Sequence, residues 1–127
     1  MRSHHTPYDD AAIILDSVLA DDLAGVMSQF QKVRLRAGDA GVYSVAVCLA
    51  ATLVGEQLPP GQWALDYPDI DGAEYGPRWV ARFVSAYVND DEPTASALYR
   101  AALADGTLNE CLLTLAGSTI ATLRRRA

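Results

Sequence analysis

Residues 55–77 read GEQLPPGQWALDYPDIDGAEYGP, and this stretch decides how the chain divides. Pro59, Pro60 and Pro68 forbid a continuous helix here, because proline lacks an amide donor and its ring clashes with the preceding turn. Four carboxylates, Asp66, Asp69, Asp71 and Glu74, fall within nine positions. The aromatic residues Trp63, Tyr67 and Tyr75 are interleaved with them, and Trp79 lies just beyond. On both sides of the stretch the apolar residues recur at spacings of three and four, the period of an amphipathic helix.

Upstream, Thr6-Pro7 is a cap followed by proline at the first helical position, and Ala11, Ile14, Leu15, Val18 and Leu19 form one stripe. Asp21-Asp22 ends that helix and caps a second, whose face is Leu23, Val26, Met27, Phe30 and Val33. Lys32, Arg34 and Arg36 complement its C-terminal dipole, and Gly38 supplies the stop. Asp39 caps a third helix that is apolar nearly all round from Val42 to Val54, the pattern of a central helix or an oligomer contact. Downstream, Pro77 opens a fourth helix bearing Val80, Phe83, Val84, Tyr87 and Val88. Asp90, Asp91 and Pro93 start a fifth with Ala95, Leu98, Tyr99, Ala102 and Leu103. After Asp105-Gly106 a sixth carries Leu108, Cys111, Leu112, Leu115, Ile120 and Leu123.

The two flanks repeat each other. A shift of 69 positions sets Ala11 on Val80, Ile14 on Phe83, Leu15 on Val84, Val18 on Tyr87, and Asp21-Asp22 on Asp90-Asp91. Past the next turn the shift becomes 66, which sets Val42 on Leu108, Val45 on Cys111, Ala46 on Leu112 and Leu49 on Leu115. The expected fold is all-α: one domain, 1–127, of six helices in two pseudo-repeated three-helix units. The units span about 7–54 and 77–126, joined by the connection 55–76, with the third and sixth helices packed near a pseudo-twofold axis. Ala50, Ala51, Ala116, Gly117 and Ser118 are small enough for a close approach of those two backbones.

Composition narrows the chemistry. A net charge of −6 repels phosphate, which disfavours nucleic acid as a partner. The 13-residue apolar run 42–54 falls short of the ~20 residues a bilayer span requires. With no charged start followed by an apolar run and a small-residue cleavage site, the expected location is the cytoplasm. Nine arginines against one lysine, with many alanines, fit a bacterial source. Cys48 and Cys111 lack any paired metal-ligand spacing and read as buried free thiols in a reducing compartment.

Both histidines, His4 and His5, lie at the very start, so no histidine base is placed to activate a nucleophile. Neither a Gly-rich phosphate loop nor an inward Glu-x-x-His pair is present. Asp69-Ile70-Asp71-Gly72 echoes a calcium loop, but with Gly72 in sixth place the first and twelfth ligands would be Tyr67 and Arg78, which rules the loop out. No enzyme activity, cofactor or metal is therefore expected.

The expected function is a protein-interaction, regulatory or adaptor module, acting as a homodimer or on another protein. The alternative is a small-molecule binder with an aromatic pocket between the two halves, lined by Trp63, Tyr67, Trp79, Phe83 and Tyr87. A third reading makes the acidic run a nucleic-acid mimic. The expected binding residues are Trp63, Asp66, Tyr67, Asp69, Asp71, Glu74, Tyr75 and Trp79, on the surface of the connection or in that pocket.

Overall fold

The computed structural model describes residues 6–55 and 75–126. Every regular element among them is an α-helix: α1 (Pro7–Leu19), α2 (Leu23–Val54), α3 (Tyr75–Val88), α4 (Glu92–Asp105) and α5 (Leu108–Arg126). Thr6 and Asp9 close a reciprocal cap at the head of α1. The Thr6 amide donates to Asp9 Oδ2 at 2.8 Å, and the Asp9 amide donates to Thr6 Oγ1 at 3.3 Å. Asp22 and Asp91 cap α2 and α4 by accepting from the amides of Gly25 and Thr94.

The α1–α2 and α3–α4 turns have the same backbone. Asp21 and Asp90 both sit at φ 57°, a left-handed conformation that Asp tolerates better than most side chains. The following caps agree as well, Asp22 at φ −107°, ψ 79° and Asp91 at φ −104°, ψ 73°. Their hydrogen bonds correspond: Asp22 N–H to Ser17 O and Asp91 N–H to Ala86 O, each 2.8 Å.

Two boundaries differ from the sequence expectation. Five helices stand where six were expected, because residues 23–54 run as one element whose only interruption is Gly38. At φ 71°, ψ −166°, Gly38 occupies backbone space that is essentially closed to side-chain-bearing residues. A one-residue break leaves no connecting loop to separate two elements. The next helix begins at Tyr75, two residues before Pro77. Proline is compatible with a first turn, whose amides have no intrahelical acceptor. Gly76 lies close against α5, where an added Cβ would come within 2.7 Å of Thr114 Oγ1.

The 39–54 portion of α2 is the centre of the core. Val42, Val45, Ala46, Cys48, Leu49, Ala50, Leu53 and Val54 are all buried. Taken as a whole, α2 is long and apolar enough to cross a membrane, with a mean hydropathy of 1.6 over its best window. Gly38, however, limits its uninterrupted apolar part to residues 39–54, where the eight side chains named above are buried and Tyr43, Val47 and Ala51 are half-buried. The α5 helix packs against all four others, and α2 packs against α1, α3 and α5. Between α2 and α5 the buried Thr119 hydroxyl donates to Leu115 O at 2.8 Å and reaches Leu49 O at 3.3 Å. Gly117 is not part of a close approach, since a Cβ there would meet nothing within 4 Å.

Asp10, only 2% exposed, joins α1 to α2. Its carboxylate accepts from Gln29 Nε2 at 2.9 Å and from Arg36 Nη2 at 2.6 Å. Arg34 Nε lies 3.5 Å from Asp39 Oδ1. Two of the three cations near residue 34 thus pair with carboxylates of the same chain.

The two glycines separate backbone strain from packing. Gly38→Ala is expected to destabilise by about 1–3 kcal/mol through its dihedral alone, because nothing lies within 4 Å of the added methyl. Gly117→Ala, inside α5 and equally unobstructed, is expected to stabilise by about 0.5–1 kcal/mol. Urea unfolding of both variants checks the pair, and equal effects would contradict the account.

Candidate functional site: an aromatic pocket beside the Asp90-Asp91 turn

A pocket of about 170 Å³ opens where α2 meets the α3–α4 turn. Engineered apolar cavities of about 150 Å³ hold benzene, so the space suits a small organic group. Tyr43 and Val47 approach from α2, while Phe83, Ala86 and Tyr87 lie at helical spacing on α3. Asp90 and Asp91 in the turn, with Glu92 and Ala95 of α4, complete the wall.

The aromatic side chains are braced from behind. Tyr43 meets Phe83 edge-on at 6.1 Å and Tyr99 edge-on at 5.7 Å. Trp79 stacks on Phe83 at 4.7 Å with an interplanar angle of 11°. The Trp79 indole N–H donates to Leu98 O at 2.9 Å, which ties α3 to α4. Tyr99 Oη donates to Asp39 Oδ1 at 3.2 Å, which ties α4 to the segment just after the Gly38 break. Such edge-to-face and offset arrangements contribute about 0.5–1.5 kcal/mol per pair beyond burial, and they hold the rings at fixed angles.

The electrostatics of the pocket are acidic. Asp91 is occupied as the α4 cap, accepting from the Thr94 amide at 3.3 Å and hydroxyl at 2.6 Å. The side chains of Asp90 and Glu92 have no hydrogen-bond or ion-pair partner among the described residues. Burial pushes the Tyr43 hydroxyl pKa up, and the charge of Glu92 adds to that rise. Burial also raises that of Tyr87. Among the described residues, no basic side chain lines the pocket.

A second, shallower concavity of about 80 Å³ between α3 and α4 is lined by Tyr75, Arg78, Trp79, Arg82 and Leu98. Tyr75 Oη donates there to Asp105 Oδ2 at 3.1 Å, and Arg78 Nε is buried without a hydrogen-bond acceptor.

Of the residues expected to bind, Trp63, Asp66, Tyr67, Asp69, Asp71 and Glu74 lie outside the described residues. Tyr75 and Trp79 come together at the second concavity. Trp79, at 3% exposure, is mainly a core residue: its ring is spent on Phe83 and its N–H on Leu98. Phe83 and Tyr87 do line a pocket with a residue of the first half, Tyr43. Tyr43, Val47, Glu92 and Ala95 went unnoticed as site residues. The available signal was Glu92 directly after an Asp pair that already suffices to cap α4.

Cys48 and Cys111 are buried free thiols. Burial raises both pKa values, that of Cys111 to about 11, which suppresses the nucleophilic thiolate. No group of three or more His, Cys, Asp or Glu side chains suited to a metal ion occurs among the described residues. Comparison with known protein families, curated proteins and solved structures gives no match.

The bracing of the aromatic side chains has a pH signature. Burial, reinforced by Asp39, pushes the Tyr99 hydroxyl from an ordinary 10.0 up to about 12. The unfolded chain therefore releases this proton first, so the contribution of Tyr99 is complete below pH 10 and is lost as pH rises to about 12. Thermal melts across that window should show stability falling with pH, and Tyr99→Phe should fall less steeply from a baseline lower by about 1 kcal/mol. An unchanged slope in the variant would contradict the assignment.

Proposed function

We propose that the protein is a non-enzymatic, cytoplasmic binding module made of two related three-helix units, with its ligand site in the pocket where they meet. The pocket itself carries the proposal: Tyr43 from the first unit, in edge contact with Phe83 of the second, lines an open space together with Tyr87. Ligand sites favour such concave, largely apolar positions with a few polar groups at the edge.

The matched turns support the two-unit reading. Residues 16–18 and 20–22, moved by 69, reproduce the hydrogen bonds of residues 85–87 and 89–91. Between the two shifts, Gly38 and Gly106 each break the helix with a positive φ, 71° and 75°, although ψ differs, −166° against 17°. On this reading α2 comprises two helices fused at one residue, and α2 and α5 contribute the central pair.

The raised thiol pKa values and the lack of a histidine among the described residues favour binding over catalysis. The acidic balance of the chain disfavours nucleic acid as the partner.

A second reading, self-association or an adaptor contact with another protein, draws on exposed apolar side chains. Leu19 and Leu23 flank one turn, each 53% exposed, and Leu35 near the α2 break is 77% exposed. It loses weight because the most apolar helices turn their surplus inward.

Heteronuclear NMR of the labelled protein against a library of small amines, acids and neutral fragments tests the first reading. Ligands are expected to move the signals of Val47, Ala86 and Ala95, and Ala95→Leu, which fills the pocket, is expected to abolish the shifts. Shifts that survive this substitution would sink the proposal. Light scattering tests the second reading, in which the mass is twice the 13.6 kDa of one chain. A monomer at every concentration would remove it.

A further inference from the structure

We infer that the pocket at Tyr43, Phe83 and Tyr87 is selective for an alkylated ammonium cation; this inference rests on the pocket being a ligand site. Aromatic faces attract cations through their quadrupole, most strongly where water is excluded. Here Tyr43, Phe83 and Tyr87 lie beside Asp90, Asp91 and Glu92, and none of the described residues in the wall is basic. Val47, Ala86 and Ala95 make the remainder apolar. A bare, strongly hydrated ammonium gains little from such walls, whereas N-methyl groups spread the charge over an apolar surface that fits them.

The companion turn serves as an internal control. Its backbone is the same, with Asp21 and Asp90 both at φ 57° and both second aspartates acting as caps. A shift of 69 sets Val18 on Tyr87, Leu23 on Glu92 and Val26 on Ala95. Val26 is fully buried. Turn geometry and helix capping therefore account for the aspartate pair in both places. They do not account for the aromatic ring, the added carboxylate and the smaller side chain at the second turn. Those three differences supply an aromatic ring, a negative charge and room, the requirements of an organic cation.

The test is an NMR titration of the full chain with choline and with its uncharged carbon isostere dimethylbutanol, which replaces the quaternary nitrogen by carbon. A short peptide bearing trimethyl-lysine runs alongside, to tell a free cation from a partner's side chain; binding of either more tightly than the uncharged isostere supports the assignment. Choline is expected to bind at least about tenfold more tightly than dimethylbutanol. Glu92→Gln and Tyr87→Leu should each erase most of that preference, with melting curves confirming that both variants remain folded. Equal binding of choline and the isostere overturns the cation assignment but leaves the pocket as a ligand site. Failure of all three probes overturns the cation assignment, and the fragment library then decides the pocket separately.

Discussion

Residues 42–54 of α2 are apolar on almost every side, and that segment must be covered all round. Burying a side chain such as Leu49 or Leu53 contributes about 1.5–3 kcal/mol, so any arrangement that leaves one face wet is strongly disfavoured. The α5 helix covers one side with Leu112, Leu115 and Ala116, and the Thr119 hydroxyl, bonded to Leu115 O of its own helix, lies 3.3 Å from Leu49 O. On other sides lie α1 and α3. Gly38 makes this possible, because only a break there lets 23–37 leave the line of the central segment without a loop.

The pocket follows from the same constraint. Tyr43 stands one turn from the start of the central segment, where cover comes from single side chains of α3 and α4 beside the α3–α4 turn. Its ring is held between Phe83 and Tyr99, and Trp79 stacks behind Phe83. Ala95 is too small to close the remaining gap. A core built for coverage thus ends in a pocket lined by aromatic side chains and bordered by carboxylates.

Local pattern made much of this legible. Thr6-Pro7, the two Asp-Asp turns and Gly38 each act within a few residues, and each does what its chemistry implies. The apolar stripes also name the core: Ile14, Val26, Phe30, Val45, Leu49, Phe83, Leu112 and Leu115 are all buried. What stayed hidden depends on partners distant in sequence. Asp10 reads as a solvated first-turn carboxylate until Arg36 and Gln29 arrive from α2. Trp79 reads as a surface aromatic until its indole N–H finds the Leu98 carbonyl. The helical period does not say whether the Tyr43 ring is buried or lines a pocket, which depends on the small side chain at Ala95, distant in sequence. The acidic-aromatic connection drew attention because it breaks the helical period; the pocket lies instead at a turn that looks like ordinary capping.

The central claim is that an alkylammonium ligand sits against the Tyr43, Phe83 and Tyr87 rings. Intermolecular nuclear Overhauser effects from the N-methyl protons of bound choline test it most directly. The account predicts contacts to the ring protons of Tyr43 and Tyr87 and to the methyl of Ala95. Contacts confined to other residues, such as Tyr75 and Leu98 at the α3–α4 groove, would contradict it.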